Sequence, residues 1–425
     1  MGRRQGPEPV TPLAAAEAAC RILEHVRRQP PLRTPLDDAL GSVLAEDIVS
    51  PLNVPPWTNS AMDGYAAKSE DVRGASERQP VQLRIVEEIP AGHSPVQAIR
   101  RGECARIFTG AALPPGADSV IRQEDTDGGT DVVTIIADRD ITMNIRRAGE
   151  DIAKGTTVLH RGTTLRAAQI GVLASLGMGH TMVYRRPRVA ILASGDEIVD
   201  VDQPEEILAG RKIASSNTHT LIALVREAGG IPVNLGIARD TPDSVREHIE
   251  RAAEADLLIT SAGISVGEHD YLRDVLHAMG ADLKFWRLRM RPGAPVGFGL
   301  LGDVPWIGLP GNPVSTMVTF ELFVRPAIRK MAGYALPFRR AVSVTMDEPI
   351  TLKPKLQHFL RAMLTDTSDH LHARLTGPQG SGILTSMVRA DALLIVPEGQ
   401  HETPTGARIN ALVLDAPRHQ AAPPF

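Results

Sequence analysis

Three polar loops follow predicted strands in the middle of the chain, and their residue types suit the binding of phosphate or another oxyanion. The first loop is Ser194-Gly195-Asp196-Glu197, the second is Arg239-Asp240, and the third is 261–270, which contains Ser265 and Gly267. In open α/β sheets, ligands collect beyond the carboxyl ends of the strands, where loops meet helix N-termini with unpaired N–H groups. We therefore expect the three loops to converge at one sheet edge. The third loop alone is a weak signal, because a loop of glycine and serine is also an ordinary connection between a strand and a helix.

Carboxylates in polar turns are candidates for holding Mg²⁺, since this cation prefers one or two carboxylates together with phosphate oxygens and water. The candidates are Asp63, Asp151, Asp196, Glu197, Asp240 and Asp270. Each of them could equally be an ordinary turn or capping acid. The 13 histidines form no spaced zinc signature. The segment Ser194-Gly195-Asp196 also lacks the pattern of a nucleophile elbow, so we expect neither structural zinc nor a hydrolytic triad.

Three arginines alternate from the predicted strand Phe285–Leu288, which contains Arg287, into the segment Arg289-Met290-Arg291-Pro292-Gly293 that follows it. If this segment is extended, Arg287, Arg289 and Arg291 share one face, and their guanidinium forks suit oxyanions. A solvated basic edge is the alternative interpretation. Further along, Pro310-Gly311-Asn312-Pro313 precedes a predicted helix. Its asparagine and proline could be a cap and a first helical residue, or they could contact a ligand.

The elements that must position these loops alternate between strands and helices from Arg188 onwards. Strands are predicted at Val189–Ala193, Ile231–Ile237, Leu257–Thr260, Phe285–Leu288 and Trp306–Leu309. Helices are predicted at Thr218–Ala228, Thr241–Glu254, Tyr271–Met279 and from Val314 towards Arg329. Ser216 and Asn217 are the N-cap candidates of the first of these helices. The runs 189–192 and 257–259 are apolar on both faces, as in strands covered by helices on both sides. The pattern therefore predicts a doubly wound parallel sheet.

The remaining sequence predicts a multidomain protein of class α/β plus β. An amphipathic helix in 11–29 opens the chain, short β-branched runs after Trp57 indicate a small inserted β module, and a helical period returns in 165–176. Beyond Gly333 only β-type runs follow, which predicts a small β-barrel-like domain at the C-terminal end. The predicted boundaries are a discontinuous N-terminal helical domain over 10–52 and 149–185, the β module over 53–148, the α/β domain over 186–333 and the C-terminal domain over 334–425.

Composition excludes several classes of protein. The 425 residues suggest about three domains, and 43% hydrophobic with 23% charged residues is typical of a folded globular chain. Lys+Arg 46 against Asp+Glu 50 gives a net charge of −4, so nucleic acid is not an expected partner. Only two cysteines are present, and no apolar run approaches the length of a membrane span or of a signal peptide. We expect a cytoplasmic protein without a disulfide framework or a membrane segment.

Eight motifs occur in an order that resembles one family over nearly the whole chain. They are Asn59-Ser60-Ala61-Met62-Asp63-Gly64-Tyr65-Ala66, Phe108-Thr109-Gly110-Ala111, Arg147-Ala148-Gly149-Glu150-Asp151, Ser194-Gly195-Asp196-Glu197, Ser265-Val266-Gly267-Glu268-His269-Asp270-Tyr271, Arg291-Pro292-Gly293, Leu309-Pro310-Gly311-Asn312-Pro313 and Gln379-Gly380-Ser381-Gly382. On these motifs the chain resembles the molybdopterin molybdotransferases, which include the bacterial MoeA proteins and the E domain of gephyrin.

This resemblance implies a molybdopterin-binding α/β domain and a Mg²⁺-dependent reaction. In that reaction, molybdate is inserted into the dithiolene of adenylylated molybdopterin and AMP is released. The resemblance also implies a homodimer whose site lies between the inserted module of one subunit and the α/β domain of the other. Transient contacts with a molybdopterin adenylyltransferase and with apo-molybdoenzymes would follow.

The resemblance assigns roles to residues by motif position. It makes Asp63, Thr109, Asp151, Glu197, Asp240 and Asp270 catalytic, with Glu197, Asp240 and Asp270 also near the metal. Substrate-binding residues would be Ser194, Gly195, Ser265, Gly267, Arg287, Arg291, Pro310, Asn312 and Ser381. Of these, Arg287, Arg291 and Ser381 are suitable donors for the molybdate dianion.

The chain also departs from the family pattern. Lysines are common in the family where this chain has Arg287 and Arg291, and a third lysine is common at Ala294. Arginine keeps the charge but replaces a compact ammonium with a planar fork, so anion geometry or selectivity could differ. Thr58 stands where aspartate is common, and Ala262 where glycine is common. The Ala262 methyl would hinder close backbone approach if that position needs a positive φ.

Two alternative functions remain from the sequence. The first is a binding or scaffolding protein of the same fold without turnover, which the retained carboxylates disfavour. The second is a molybdopterin adenylyltransferase, which the additional β module and C-terminal β domain disfavour, because the related adenylylating proteins share only the α/β domain.

Overall fold

A computed structural model describes residues 12–263, 271–353, 355–366 and 370–415. The chain divides into two compact units. The main unit takes in the described residues of Met1–Arg33, Gly41–Ala45 and Met182–Phe425, and the small unit consists of Thr34–Leu40 and Glu46–Thr181. Each unit is described below by itself.

The small unit contains the predicted β module. A five-stranded sheet has the spatial order Ser119–Arg122, Gly64–Ala67, Glu103–Ile107, Ser76–Ile89 and Val132–Ala137. Its two faces bury separate apolar clusters, one around Tyr65 and Leu83 and the other around Ile89 and Ile107. Shorter elements complete the unit: the strands Ile48–Val49, Asn59–Ser60, Ile145–Arg146 and Thr157–Leu159, the helices Ser69–Val72 and Ala167–Ser175, and the 3₁₀ turns Leu36–Asp38 and Gln123–Asp125. The prediction of a small β module is confirmed.

The main unit is built on a six-stranded sheet. Its strands in chain order are β1 (Arg188–Ser194), β2 (Ile231–Ala238), β3 (Leu257–Ser261), β4 (Asp282–Phe285), β5 (Gly297–Leu301) and β6 (Val304–Leu309). The spatial order is β2-β1-β3-β6-β5-β4, in which β2, β1, β3 and β6 are parallel. The prediction of a fully parallel sheet is wrong at one edge, because β5 pairs antiparallel with both β6 and β4. The predicted strand Phe285–Leu288 is displaced, since β4 ends at Phe285.

Helices cover both faces of this sheet, as the doubly wound prediction requires. They are α1 (Ala15–His25), α2 (Ser216–Ala228), α3 (Pro242–Glu250), α4 (Tyr271–Ala278), α5 (Pro313–Thr319) and α6 (Arg325–Met331). One core joins α1, α2, α5 and α6 to Val189 and Ile191 of β1, and the other joins α3 and α4 to Ala190 and Leu192 of the same strand. Successive side chains of a strand point to opposite faces, so a strand that is apolar throughout is buried on both sides.

Helix α1 packs on the α/β core rather than standing in a separate helical domain. Ala15, Ala18 and Ile22 on its apolar face are buried in the same cluster as Phe320 and Ile328. The opening helix, which the predicted boundaries assign to a discontinuous N-terminal domain, therefore lies within the main unit. The remaining boundaries stay a prediction.

The C-terminal part of the main unit is a closed five-stranded barrel, which confirms the β-barrel-like prediction. Its strands are β7 (Ala341–Met346), β8 (Gln357–Asp366), β9 (Leu371–Leu375), β10 (Ala392–Val396) and β11 (Arg408–Val413). The order β8-β9-β7-β11-β10 closes because β10 also pairs with β8. The short strand Met290–Arg291 adds to the start of β8 in parallel and so links the arginine-bearing loop to the barrel.

The other elements of the chain are short. They are the strands Pro31–Pro35, His180–Tyr184, Ile198–Val199, Ile213–Ala214, Ile350–Thr351 and Glu402–Thr403, the helices Pro204–Leu208 and Thr385–Val388, and the π-helical turn Phe320–Val324. Within the described ranges, no helix combines the length and the apolar character that a membrane crossing demands.

Candidate functional site

The loops that follow β1 and β2 are hydrogen-bonded to each other at the carboxyl ends of their strands. The backbone N–H of Asp196 donates to Oδ2 of Asp240 and that of Asp240 donates to Oδ1 of Asp196, both at 3.3 Å. Gly195 N–H donates to the carbonyl of Ala238 at 3.2 Å. Because β1 and β2 are parallel neighbours, their ends coincide, and the two predicted loops meet as the sequence indicates.

Glu197 turns its carboxylate back over the loop backbone. Gly195 has φ +144°, and a Cβ at this position would lie 2.8 Å from Oε2 of Glu197. A side chain at position 195 would therefore displace the carboxylate. The loop is held from the other side by Lys212, whose Nζ donates to the carbonyl of Asp196 at 2.5 Å, and by Ile213, whose N–H donates to the carbonyl of Glu197 at 2.8 Å.

The loop after β3 begins against the same edge. Ser194 Oγ lies 3.2 Å from the position that a Cβ on Gly263 would take, so the end of β1 contacts this loop. Ala262 has φ +75°, a left-handed conformation that costs roughly 1 kcal/mol for a residue with a side chain. Ala262 thus has the positive φ at which its methyl group would hinder close backbone approach. Ser265, Gly267 and Asp270 lie in 264–270, outside the described residues.

Asn217 joins two of the loops and was not among the predicted site residues. Its Nδ2 donates to Oγ of Ser261 at 2.9 Å and to the carbonyl of Gly311 at 2.7 Å. The sequence pattern placed Ser216 and Asn217 at the start of a helix as capping candidates. Ser215 occupies the N-cap position instead. Ser215 makes no side-chain capping hydrogen bond, and Asn217, a polar residue beyond the N-cap, was the signal that could have found this contact.

A cavity of about 490 Å³ opens between these loops. Its lining includes Glu197, Asn217, Ser261, Ala262, Pro310 and Asn312. The barrel side of the main unit reaches the same place, since Asn312 Nδ2 donates to Oγ of Ser381 at 3.2 Å and Val314 N–H donates to the carbonyl of Ser381 at 3.1 Å. The predicted residues Glu197, Pro310, Asn312 and Ser381 are therefore brought to one edge. A second cavity of about 680 Å³, lined by Asp196, Lys212 and Arg239, shares Ile198 with the first.

The arginine-bearing loop lies beside the barrel. Arg287 and Arg291 are exposed, whereas Arg289 donates from Nε to Oε1 of Glu398 at 2.9 Å and from Nη1 to the carbonyl of Pro12 at 2.6 Å. The backbone of Arg291 pairs with His358 of β8, and burial together with the Arg291 charge lowers the pKa of this histidine. Further along the same loop, Pro295 lines the first cavity. Arg287 and Arg291 are thus exposed, whereas Arg289 between them is neutralised by its ion pair with Glu398.

Arg361 is a second polar residue that sequence reasoning missed. It is fully buried on β8, where Nη2 donates to the carbonyl of Gly380 at 3.0 Å and Nε to Oγ of Ser386 at 3.0 Å. Its Nη1 has no hydrogen-bond partner among the described residues. Arg361 therefore braces the segment that carries Ser381. A lone arginine inside a β-type sequence gave no signal of this role.

The other predicted catalytic residues belong to the small unit. Asp63 Oδ1 accepts hydrogen bonds from the backbone N–H of Thr109 at 2.8 Å and from its Oγ1 at 2.7 Å. These two bonds, the backbone bond first, lower the pKa of Asp63 below its usual value. Asp151 is exposed, and its backbone N–H donates to the carbonyl of Val54 at 3.1 Å. The structure thus brings Asp63 and Thr109 into direct contact.

The described residues contain no group of three or more His, Cys, Asp or Glu side chains arranged to hold a metal ion. Asp270 of the predicted metal set is outside those residues, which leaves Glu197 and Asp240 on adjoining loops. This donor set fits Mg²⁺ bound mainly by substrate phosphate and water, because that ion commonly takes only one or two carboxylates from a protein. It would not form a closed protein cage.

Three family descriptions match successive parts of the chain. "MoeA N-terminal region (domain I and II)" matches residues 13–177, "Probable molybdopterin binding domain" matches 190–330, and "MoeA C-terminal region (domain IV)" matches 343–414. Together they span nearly all of the described sequence. Their borders fall close to the change from the β module to the α/β sheet and from the sheet to the barrel.

Similar proteins cover most of the chain. A "Molybdopterin molybdenumtransferase 2" of Mycobacterium tuberculosis is 37% identical over 396 residues, which is 91% of this chain and 96% of that protein. A "Molybdopterin molybdenumtransferase" of a Nostoc species is 38% identical over 89% of this chain and 87% of its own length. This chain also resembles the crystal structure of a molybdopterin biosynthesis moeA protein from Pyrococcus horikoshii, with a TM-score of 0.79 and 29% sequence identity. The match covers 95% of this chain and 100% of the other.

Proposed function

Because this chain belongs to the MoeA family of molybdopterin molybdenumtransferases, we propose that it inserts molybdate into adenylylated molybdopterin and releases AMP. The observation that carries this proposal is the cavity at the carboxyl edge of the sheet, which adjoins the paired acidic loops of β1 and β2. Adenylylated molybdopterin has a heterocycle at one end and a phosphoanhydride in its middle, so its binding site needs both the cavity and the acidic loops. The cavity offers space for the ring, and the loops offer backbone N–H groups and carboxylates for a metal-bound phosphate.

Mg²⁺ would be held by Glu197 and Asp240, and when bound it would neutralise charge on the pyrophosphate link. The protein's own part is to fix the loops that carry these acids. The reciprocal Asp196 and Asp240 bonds and the Lys212 contact with the Asp196 carbonyl hold both loops at one edge. The Glu197 carboxylate already lies over Gly195, where a phosphate would meet the loop backbone.

Molybdate is a tetrahedral dianion, so its binding site must supply positive charge and hydrogen-bond donors. We assign this part to Arg287, Arg291 and Ser381, of which the two arginines are exposed. Ser381 Oγ accepts from Asn312 Nδ2 and keeps its own proton for a ligand. An arginine fork binds two oxygens of an oxyanion at once, which a lysine at these positions would not do.

The test is to incubate the purified chain with adenylylated molybdopterin, Mg²⁺ and molybdate and to follow AMP. Release that depends on both Mg²⁺ and molybdate supports the transferase. Tight binding of the adenylylated pterin without AMP release would support the scaffolding alternative, and adenylylation of free molybdopterin by ATP would support the adenylyltransferase alternative. Either of these two results would overturn the proposal.

We further propose that the working form is a cytoplasmic homodimer in which the β module of one subunit and the α/β domain of the other contribute to each site. An adenylyltransferase would deliver the substrate and apo-molybdoenzymes would take the product. These assignments follow from the family resemblance and from the distribution of the predicted catalytic residues over two units.

A further inference from the structure

The side-chain amide of Asn217 has an orientation that its hydrogen bonds determine. The carbonyl of Gly311 can only accept, so the atom 2.7 Å from it must be the NH₂ group rather than the amide oxygen. The second Nδ2 proton reaches Oγ of Ser261 at 2.9 Å. Both amide protons are therefore used within the protein, and Oδ1 is fixed on the opposite side.

The Oδ1 atom of Asn217 is an acceptor with no donor in the described part of the chain. No hydrogen bond to it is present in 12–263 or in the later described segments, and it is not among the buried polar atoms that lack a partner. Asn217 is half-buried and lines the cavity of about 490 Å³. A rigidly held acceptor of this kind pairs well with a ligand N–H, because little freedom is lost when the bond forms.

The other two cavity-lining residues with an amide or carboxylate oxygen are less suited to this task. Among the described residues, the Asn312 amide makes a single side-chain hydrogen bond, to the Ser381 hydroxyl, so it is held less firmly than the Asn217 amide, which makes two. The Glu197 carboxylate turns back over Gly195 towards the acidic loops. Of these three side chains, Asn217 is therefore the neutral acceptor whose amide orientation is fixed by two hydrogen bonds within the protein.

We propose that Asn217 is a specificity-determining residue whose Oδ1 accepts a hydrogen bond from the exocyclic amino group of the pterin ring. This inference rests on the proposed function, which places a pterin in the cavity. A pteridine with an oxo group at the same ring position would bring two acceptors face to face. A site built to bond a ligand N–H rejects an analogue that lacks it, since the buried acceptor is then left unpaired.

The experiment compares pterin with lumazine, its 2-oxo analogue, by fluorescence titration of the intact chain. We expect the wild-type protein to bind pterin about tenfold more tightly than lumazine, the effect of about one well-placed hydrogen bond. Asn217→Ala should lower this ratio to about one, and Asn217→Leu, which is close to asparagine in size but has no acceptor, should do the same. Ser261→Ala is the matched control, because it removes one partner of Nδ2 and leaves Oδ1 and the Gly311 bond in place. It should weaken both ligands alike.

Two results would overturn the inference: a wild-type ratio near one, or an Asn217→Ala variant that keeps the wild-type ratio. A purely structural role for Asn217 would weaken both ligands equally and would leave the ratio unchanged. If Asn217→Ala does not fold, the Asn217→Leu ratio decides, since a wild-type preference for pterin there contradicts the inference. AMP release by the wild-type chain is measured separately. Release without a pterin preference would refute only the role of Asn217, whereas a preference without release would refute the transferase.

Discussion

At the scale of single residues, Asp63 is ionised and anchored by two hydrogen bonds from Thr109. We expect Asp63→Asn to lose most Mg²⁺-dependent AMP release, because the change removes the charge and keeps size and hydrogen bonding. Since its pKa is lowered in the folded state, ionised Asp63 contributes stability above the carboxyl's ordinary pKa and loses that contribution as pH falls through the lowered value. Because Asp63 is exposed, this contribution is small, and near neutral pH we expect the free energy of unfolding of the variant, measured by urea denaturation, to lie within about 0.5 kcal/mol of wild type.

Asp127 provides the control for Asp63. It lies in the same unit, is exposed, and accepts hydrogen bonds from the backbone N–H of Gly129 and Thr134, which lower its pKa in the same way. Asp127→Asn should leave AMP release unchanged. If Asp63→Asn also keeps the wild-type rate across a Mg²⁺ titration, Asp63 is an ordinary turn acid and its catalytic assignment is wrong.

Glu197 is exposed and belongs to the main unit, where its carboxylate lies over Gly195. We predict that Glu197→Gln folds normally and shifts the Mg²⁺ requirement upwards or abolishes turnover, because an amide is a poor ligand for Mg²⁺. A titration of Mg²⁺ at saturating substrate measures this effect. Glu206, which is paired with Arg211 in the neighbouring segment, supplies the control, and Glu206→Gln should behave as wild type. Equal Mg²⁺ curves for Glu197→Gln and wild type would remove Glu197 from the metal site.

The arginines give a matched pair within one loop. Arg291 is exposed, whereas Arg289 is held by Glu398 and by the carbonyl of Pro12. A hydrogen bond to a charged group contributes about 1.5 to 3 kcal/mol. We therefore expect Arg291→Gln to raise the molybdate concentration for half-maximal cofactor formation about tenfold to a hundredfold, with unchanged affinity for the adenylylated pterin. Arg289→Gln should leave the molybdate requirement as it is.

Arg291→Lys separates charge from geometry. Full recovery of the wild-type molybdate requirement would mean that a point charge suffices, whereas partial recovery would show that the planar fork contributes. An unchanged requirement in Arg291→Gln at unchanged pterin affinity would assign this arginine to a solvated edge.

At the scale of elements, the two cysteines report on different parts of the chain. Cys20 is exposed on α1, whereas Cys104 is buried in the strand Glu103–Ile107 of the small unit, and burial raises the pKa of its thiol to about 12. Only the thiolate reacts with disulfide reagents. At mildly alkaline pH we expect one thiol per chain to react quickly and the second only when the β module opens.

This thiol assay has a direct control. A Cys20→Ser chain should show no fast reaction in the native state and one reactive thiol after denaturation. Two fast thiols in the native wild-type chain would contradict the buried placement of Cys104. The slow rate also measures opening of the β module separately from unfolding of the main unit.

Elements were predictable from sequence where local pattern and tertiary packing agree. The strands β1 and β3 are apolar on both faces and lie between two helical layers, so their sequence alone indicates their position. The β5 strand was missed because its glycines have a low intrinsic preference for strands. A Cβ on Gly297 would lie 2.4 Å from the ring of Trp306, a close approach that only the folded sheet reveals.

Strand β8 was missed for a different reason. It carries the buried polar side chains of His358 and Arg361, which interrupt the apolar pattern that predicts a strand. The helix predicted from Val314 towards Arg329 is present but is divided by the π-helical turn Phe320–Val324 just before Pro326, a residue that cannot donate to the helical ladder. The bounds of these elements depend on long-range strand pairing and on backbone hydrogen bonding. Neither can be predicted from a short stretch of sequence.

The site shows the same limit. Strand ends and motif order predict which loops meet, and the loops that carry Glu197, Asp240, Asn312 and Ser381 do lie at one edge. Asn217 was not found, because its role depends on two partners, Ser261 and Gly311, that are distant in sequence.

At the scale of the whole molecule, we expect the protein to sediment as a species of two chains at micromolar concentration. Asp63, Thr109 and Asp151 belong to the small unit and Glu197 and Asp240 to the main unit. A site shared between subunits needs both sets, so dissociation of the dimer should abolish AMP release. A purely monomeric species that still releases AMP would refute the shared site.

Mixing two inactive variants tests the shared site more sharply than sedimentation does. In a twofold dimer, a subunit carrying Asp63→Asn and a partner carrying Glu197→Gln would place both substitutions in one site and leave the other site intact. Random exchange of equal amounts makes about half of the dimers mixed, so AMP release should recover to about a quarter of the wild-type rate. If each site is formed within one chain, every site carries one substitution and the mixture stays as inactive as its components. The control is a mixture of Glu197→Gln with Asp240→Asn, two substitutions in the same unit, which should place one substitution in each site and recover nothing.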